Sequence, residues 1–585
     1  MKYSKLSFFI LLSFVLLAII VQTYAFIAHE QNIYYWDFNG YWRLWEEFCA
    51  TFPNEPVNSI RTVFHSVRHD DYNSLPVALT SWFYLFHLPS RLSYITSLAV
   101  MYLFPTVILF HLLCKRFSDN NSFTWLLLTC ILPLTFVEFW APTMKGYPDI
   151  SGLIPIIAAL LYVSKNDLGD KVRIKKALVT GLLLWSPFLL RRWYVYTIVS
   201  LYLSLPVLNY FIYNNTKHSF GRVIITVKNF FAAGIVSVSL TLIFQGALIR
   251  RIIKTDYATM YSAYQSSLAY SIENLYNHIG LYLLPFFIIG LLSIFWRKDR
   301  NGKLLVIFST FNLIFSFLFF TRTQSPGVQH CLPFALWTLI IITFGLKVLL
   351  QLTINKVYQC SVFGIVLVSC VFINYASLFS ANQYQPFGQF LPNKSLPMHV
   401  DNFNNYVELV KTIETLTQGK DKVTILSSSS VLNDDMINTI SYRKLTGRIA
   451  YASQVDLRDG INVESLLSKY FVVADPVQTH LSPDGQRVIT IPANEILSGV
   501  GIGSSFRKIG TGFKLSSGVT AYIYERTRPY TDKEIKNFLS LFFEHYPQWK
   551  EIYDKEFYHK FISADGDVWG DFTISEDAKI VAHPG

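Results

Sequence analysis

Long unbroken apolar runs, rather than alternating positions, dominate the first two-thirds of the chain. They fall near 7–27, 92–114, 122–141, 153–164, 176–190, 194–213, 229–249, 279–296, 304–320, 331–350 and 358–379. A bilayer core requires about 20 consecutive apolar residues of helix. The pattern therefore predicts about eleven transmembrane helices, the fourth and fifth reaching across only with extension or tilt. The stretch 75–88 is apolar too, but it is short and interrupted by His87 and Pro89. It predicts an interfacial or re-entrant helix. The first run follows Lys2 and Lys5, is too long for a signal-peptide core and lacks a small-x-small cleavage site, so it is expected to be retained as the first helix.

From about residue 384 the pattern changes. Residues 400–418 repeat apolar positions at helical spacing (Tyr406, Leu409, Val410, Ile413, Leu416), with Gly419 placed to end the helix. Strand-like runs are expected at 422–427, 470–474, 488–491 and 519–525, separated by Gly, Pro and Ser. Residues 531–557 read as helix, with Thr531 as N-cap before Asp532 and Glu534. The expected organisation is a membrane domain over 1–379 followed by an exported α/β domain over 380–585. No internal repeat, low-complexity tract or paired broken helices is visible.

Composition agrees with the membrane reading. Hydrophobic residues make up 52% of the 585 and charged residues 15%, against about 25% charged in soluble proteins. The formal net charge of +11 raises nucleic acid as a partner. The basic residues instead gather in short connections: Lys2/Lys5, Lys115-Arg116, 165–176, 217–228, 297–303 and 347–356. These alternate with poorly basic connections, as the positive-inside rule requires of cytoplasmic loops. The N-terminus is then inside, the long C-terminal region outside, and no nucleic-acid role is needed. The six cysteines show no metal-type spacing and none lies beyond Cys370, so neither a disulfide framework nor a zinc site is expected.

With this orientation, ionisable residues converge on the outer loops. Directly after the first run comes Tyr34-Tyr-Trp-Asp-Phe-Asn-Gly-Tyr-Trp42, which places Asp37 among aromatic rings at the membrane exit. Rings suit that interface, whereas a carboxylate there is costly unless used or paired. The same loop holds His69-Asp70-Asp71. The next offers Lys145-Gly-Tyr-Pro-Asp149. Later loops bring Arg191-Arg192, Arg250-Arg251 with Lys254, Arg322, and Gln329-His330. Arg191 and Arg192 interrupt apolar runs on the side where the positive-inside rule disfavours them. Early acids and late cations suit transfer of a group from a phosphate: a carboxylate takes the proton of an attacking hydroxyl, and cations hold the departing phosphate. The bland alternatives are a hydrated loop acid at Asp37, a solvated turn at Asp70 and Asp71, and lipid anchoring by Arg250, Arg251 and Lys254. The glycine-rich 499–503 has no strand–turn–helix unit around it, so no nucleotide cradle is expected.

These elements together resemble the GT-C superfamily, polytopic glycosyltransferases that use polyprenyl-phosphate sugars. Residues 35–41 look like the family's catalytic-aspartate element. Residues 69–76 resemble its later acid–aromatic–proline segment, and 145–149 stand where its second acidic outer loop lies. Pro326-Gly-Val-Gln-His-Cys-Leu-Pro333 is similar to an element opening a late helix. The resemblance covers roughly 1–379. Phe38 stands where many relatives have a second acid, and Gln329-His330 where Arg-Tyr is common.

The resemblance implies an inverting enzyme of a bacterial inner membrane, with Asp37 as general base. Asp70, Asp71, Lys145, Asp149, Arg191, Arg192, Arg250, Arg322, Gln329 and His330 would bind substrate. It also implies a polyprenyl-phosphate sugar donor and a surface-glycan acceptor such as O-antigen, the phage-type serotype-converting glucosyltransferases being the nearest general likeness. No protein metal site is expected, though a divalent cation could assist. A flippase of lipid-linked sugars and a membrane scaffold displaying an exported binding domain are the rival classes.

Overall fold

The computed structural model describes residues 4–118, 122–213, 220–279, 282–296, 299–351, 355–379, 395–419 and 421–553. Every one of the eleven apolar runs carries helix. The first, Lys5–Ala28, opens where the Ser4 side chain accepts from the Ser7 backbone N–H. At 24 residues it is about 36 Å long, enough for a hydrocarbon core. Among the described residues, seven helical segments are long and apolar enough to cross a membrane: Lys5–Ala28, Ser90–Ser118, Pro148–Lys165, Arg192–Tyr213, Phe220–Lys254, Arg300–Thr321 and Leu332–Gln351. The short 153–164 run reaches span length because a 3-10 turn, Pro148–Gly152, continues into it. Helix Leu284–Trp296, with 13 residues, falls short of that length. The chain is a polytopic α-helical membrane protein with a small C-terminal sheet domain.

The pair Phe123–Thr135 and Val137–Lys145 is bent by 51°, where the sequence reading expects one straight run. Pro133 lies inside the first helix and removes an N–H from its ladder, and Phe136 is extended at φ −90°, ψ 103°. The 75–88 stretch forms two short helices, Leu75–Ala78 and Ser81–Phe86.

By packing, the described chain divides into two compact units. The first comprises Met1–His29, Gly40–Lys254 and Ser266–Pro397; the second comprises Glu30–Asn39, Thr255–Gln265 and Met398–Gly585. The expected boundary at 379/380 falls beside residues outside the described set.

In the first unit, helix Leu332–Gln351 is buried continuously from Leu332 to Val348. It lies against Leu284–Trp296 at backbone distance: a Cβ on Gly345 would meet the Phe286 carbonyl oxygen at 1.9 Å. Between helices in lipid, where no hydrophobic drive separates protein from tails, such small residues allow the close approach that packing needs.

The second unit is built on a four-stranded sheet of β1 (Val423–Leu426), β2 (Tyr470–Asp475), β3 (Phe506–Lys514) and β4 (Thr520–Arg526), ordered β1-β2-β4-β3. β1 and β2 are parallel, and the other pairs antiparallel. Three of the four expected strand runs form β1, β2 and β4. The fourth, 488–491, lies inside helix Arg487–Ser498. Its buried residues Val488, Ile489, Pro492, Ala493 and Ile496 have helical spacing, which a four-residue window does not reveal. β3 escapes the sequence reading because it is an edge strand with two glycines and a register irregularity between Ile509 and Phe513. The expected helix over 531–557 starts at a capping box formed by Thr531 and Glu534, then stops at Phe543. A second helix, Trp549–Tyr553, follows Pro547, and 554–557 lie outside the described residues.

Candidate functional site

Within the first unit, helix Val137–Lys145 ends at Gly146, whose φ of +97° closes the helix. A side chain there would also run into the Arg91 guanidinium, 2.9 Å from an ideal Cβ. Arg91 donates to the Lys145 carbonyl oxygen (3.0 Å), and the Tyr94 hydroxyl to that of Gly146 (2.7 Å). Pro148 then opens the 3-10 turn that carries Asp149. From another helix, Ile174–Leu190, the chain leaves helical geometry at Arg191 (φ −149°, ψ 114°), just after Pro187.

These two breaks bring Asp149 and Arg191 together. The Arg191 Nε donates to Asp149 Oδ1 at 2.9 Å, with the two side chains 2% and 0% exposed. Trp193 Nε1 donates to the same oxygen at 2.7 Å, and the Tyr194 hydroxyl to the Asp149 carbonyl at 2.8 Å. Arg191 also contacts the Tyr41 hydroxyl and lies over the Tyr41 and Tyr72 rings at 4.6 and 5.3 Å. These contacts offset part of the cost of burying the pair, while Asp149 Oδ2 makes no hydrogen bond among the described residues.

Asp71, itself buried, forms ion pairs with two cations. Arg251 Nη2 stands 2.9 Å and Arg192 Nη1 3.4 Å from its Oδ1. Those arginine side chains keep 29% and 16% of their exposure. Arg192 also sits over the Tyr72 ring, at 5.8 Å, so Tyr72 links the two ion-pair groups. Three guanidiniums, of Arg191, Arg192 and Arg251, stand with the carboxylates of Asp149 and Asp71, and Asp70 also feels the Arg251 charge; guanidinium forks of this kind suit an oxyanion.

His330 joins from the segment before Leu332. Its ring stands 5.2 Å from Trp193 and 4.8 Å from Phe320, and its Nδ1 accepts from the Gly327 N–H at 3.1 Å. Burial, with Arg191 and Arg192 adding to it, pushes its pKa down to about 3. It is thus a neutral ring whose proton sits on Nε2, a hydrogen-bond donor rather than a cation.

Asp70, exposed at the end of helix Pro56–His69, feels the charges of both Arg251 and Asp71. Arg250 and Arg322 are exposed, and Gln329 is buried. Arg251, not Arg250, reaches Asp71. One residue is a 100° turn of helix Phe220–Lys254, and the charge run alone does not choose between them. Tyr41, Tyr72 and Trp193 were not singled out by the sequence reading, although Tyr41 and Tyr72 lie inside the two motifs it quoted. Among the described residues no group of three or more His, Cys, Asp or Glu is close enough to hold a metal ion.

Asp37 belongs to the second unit. It is half-buried in the first turn of helix Trp36–Thr51. The segment before it is fastened to helix Asp434–Ile440, which Asn433 caps. The Trp36 N–H donates to Asp435 Oδ2 at 2.8 Å and the Asn39 amide to Oδ1 at 3.2 Å. The Thr439 hydroxyl donates to the Tyr34 carbonyl at 2.9 Å. Trp36 itself has φ +48°, an unfavourable conformation for a bulky residue that the surrounding contacts hold in place.

No family model matches the chain, and no curated protein matches it. Among solved structures, it is similar to ArnT from Cupriavidus metallidurans bound to undecaprenyl phosphate, with 11% identity and a TM-score of 0.47 over 88% of this chain and 98% of that one.

Proposed function

We propose that this protein is an inverting glycosyltransferase of the GT-C type. It moves a hexose such as glucose from a polyprenyl phosphate to a surface glycan such as O-antigen, at the outer face of a bacterial inner membrane. The observation that carries the reading is the group Asp149–Arg191 and Asp71–Arg192–Arg251, in which early acids hold later arginines in place. Arg191, fully buried, orients. Arg192 and Arg251, whose side chains are 16% and 29% exposed, are the candidates to take a phosphate, and the neutral Nε2–H of His330 adds a donor. Pre-oriented donors of this kind stabilise the charge growing on a leaving phosphate without reorganising during reaction.

Asp37 accepts the proton of the acceptor hydroxyl as its oxygen bonds to the anomeric carbon. The bond from that carbon to the phosphate oxygen breaks on the opposite face, and the electron pair leaves with the polyprenyl phosphate. An ordinary carboxylate is a modest base, so orientation and leaving-group stabilisation supply much of the rate.

One observation favours a second reading, transport of a lipid-linked sugar: the 51° break in Phe123–Lys145, with Glu138 buried beside it.

Both readings meet one assay, in which purified protein in liposomes is offered polyprenyl-phosphate sugars and a surface polysaccharide. The expected result is sugar transfer by the natural chain and a loss of about 100-fold or more in Asp37→Asn, with the fold unchanged. Normal transfer by Asp37→Asn would remove the general-base role. Movement of the lipid-linked sugar between leaflets, with no release of polyprenyl phosphate, would replace the transferase with the transporter.

A further inference from the structure

Within the second unit, a row of half-buried aromatic rings runs up to the Asp37 segment from two distant parts of the chain. Tyr257 and Tyr261 lie nearly parallel with centroids 6.0 Å apart, and Tyr261 is 5.7 Å from Tyr264. Tyr264 is 6.0 Å from the His480 ring, and His480 is 4.4 Å from Trp36, the residue before Asp37.

The row is fixed in place. Arg458 donates to the Tyr264 hydroxyl at 2.6 Å while its charge is balanced by Asp459, also at 2.6 Å. At Gly485 a Cβ would come within 2.6 Å of the Ala263 Cβ, so segment 255–265 docks closely on the sheet domain. His480 is held by the Ser428 hydroxyl at 2.9 Å and by the Gln486 amide at 3.2 Å. Burial lowers its pKa to about 4, leaving it uncharged near neutral pH.

From this we infer that Trp36, Tyr257, Tyr261, Tyr264 and His480 form a saccharide-binding strip that carries the acceptor glycan to Asp37. The inference rests on the transferase reading given above and names where its acceptor binds. A pyranose has an apolar C–H face and a rim of hydroxyls. Ring faces with phenol and imidazole edges answer both, and successive rings a few ångströms apart can seat successive sugar units. The neighbouring charges cancel in the Arg458–Asp459 pair, which suits a neutral chain. Lipid contact is the other use of interfacial tyrosines. The short helix Ser81–Phe86 shows what that looks like, with Trp82, Tyr84, Leu85 and Phe86 openly exposed. The strip is instead half-buried and interleaved with hydrogen-bonding groups.

The test uses the full-length protein in detergent micelles and two readouts. Saturation-transfer NMR measures binding of maltoheptaose and of oligosaccharides released from bacterial surface polysaccharide by mild acid. Transfer kinetics measure acceptor KM and kcat separately. Tyr261→Ala and Tyr257→Ala are expected to raise the oligosaccharide Kd and the acceptor KM by about tenfold each, with a smaller change in kcat, and Tyr261→Trp to restore both. Saccharide signals and KM that stay within twofold of the natural chain in every variant would overturn the strip. Failure of the natural chain to release polyprenyl phosphate from any donor sinks the transferase reading instead, and the NMR binding still decides whether the strip takes saccharide.

Discussion

Arg191 and Asp149 show how one buried pair depends on its neighbours. Asp149 Oδ1 accepts from both Arg191 and Trp193, while Arg191 is also covered by the Tyr41 and Tyr72 rings. Removing only the acid leaves a guanidinium in a site closed to water. Asp149→Ala is therefore expected to cost about 3–5 kcal/mol of stability, read as a lower thermal midpoint of the detergent-solubilised protein. Arg191→Lys keeps the charge but loses the planar fork and the stacking on two rings, so it is expected to recover little of the function. A midpoint for Asp149→Ala equal to that of the natural chain would show that the pair is dispensable.

Among the elements, helix Asp434–Ile440 has a reach beyond its seven residues. Its Asp435 takes both the Trp36 N–H and the Asn39 amide, and its Thr439 takes the Tyr34 carbonyl. The start of the helix bearing Asp37 is thus set by a residue almost four hundred positions further on. Asp435→Ala leaves the Trp36 N–H without its carboxylate, a loss of about 1–3 kcal/mol for a charge-assisted bond. It is expected to speed hydrogen exchange at 36–39 and to lower kcat for transfer more than donor affinity. Unchanged exchange there would show that the φ +48° turn at Trp36 is held by other contacts.

For the whole molecule, the three segments of the second unit carry a topological consequence. Residues 30–39, 255–265 and the C-terminal region pack into one body, so they lie on one side of the bilayer. An even number of crossings must then separate each from the next. Between 39 and 255 lie Ser90–Ser118, the bent Phe123–Lys145, Pro148–Lys165, Ile174–Leu190, Arg192–Tyr213 and Phe220–Lys254. Parity is met if both the bent Phe123–Lys145 and the 17-residue Ile174–Leu190 cross, or if neither does. Before 398, helices Leu284–Trp296, Arg300–Thr321, Leu332–Gln351 and Lys356–Phe379 coincide with the last four apolar runs, and Arg300–Thr321 and Leu332–Gln351 have span length. The basic loops lead to the expectation of a cytoplasmic N-terminus and an exported C-terminus, which fusion reporters test. Alkaline phosphatase fused after residue 553 is expected to be active, and inactive when fused in 165–176. The reverse pattern would invert the orientation and with it the face on which the proposed chemistry occurs.

The apolar runs made the membrane helices legible without tertiary information, because a bilayer imposes one length and one polarity on any segment that crosses it. The capping box at Thr531 and β1, β2 and β4 were legible for a similar reason: each is a local pattern with a local cause. The kinds of residue used at the candidate site were visible too, as acids and arginines placed where lipid or the positive-inside rule disfavours them. Their partners were not. Arg251 rather than Arg250 on Asp71 is decided by helix rotation, the neutrality of His330 by burial, and the hold on Trp36 by Asp435 through packing within the second unit of segments far apart in the chain. The helix over 487–498 and the edge strand β3 belong with these, since both depend on what covers them. Hydrophobicity and capping act within a few residues and can be read along the chain. Ion pairing, ring contact and burial act between residues far apart in it, and only the folded arrangement selects which of many possible partners meet.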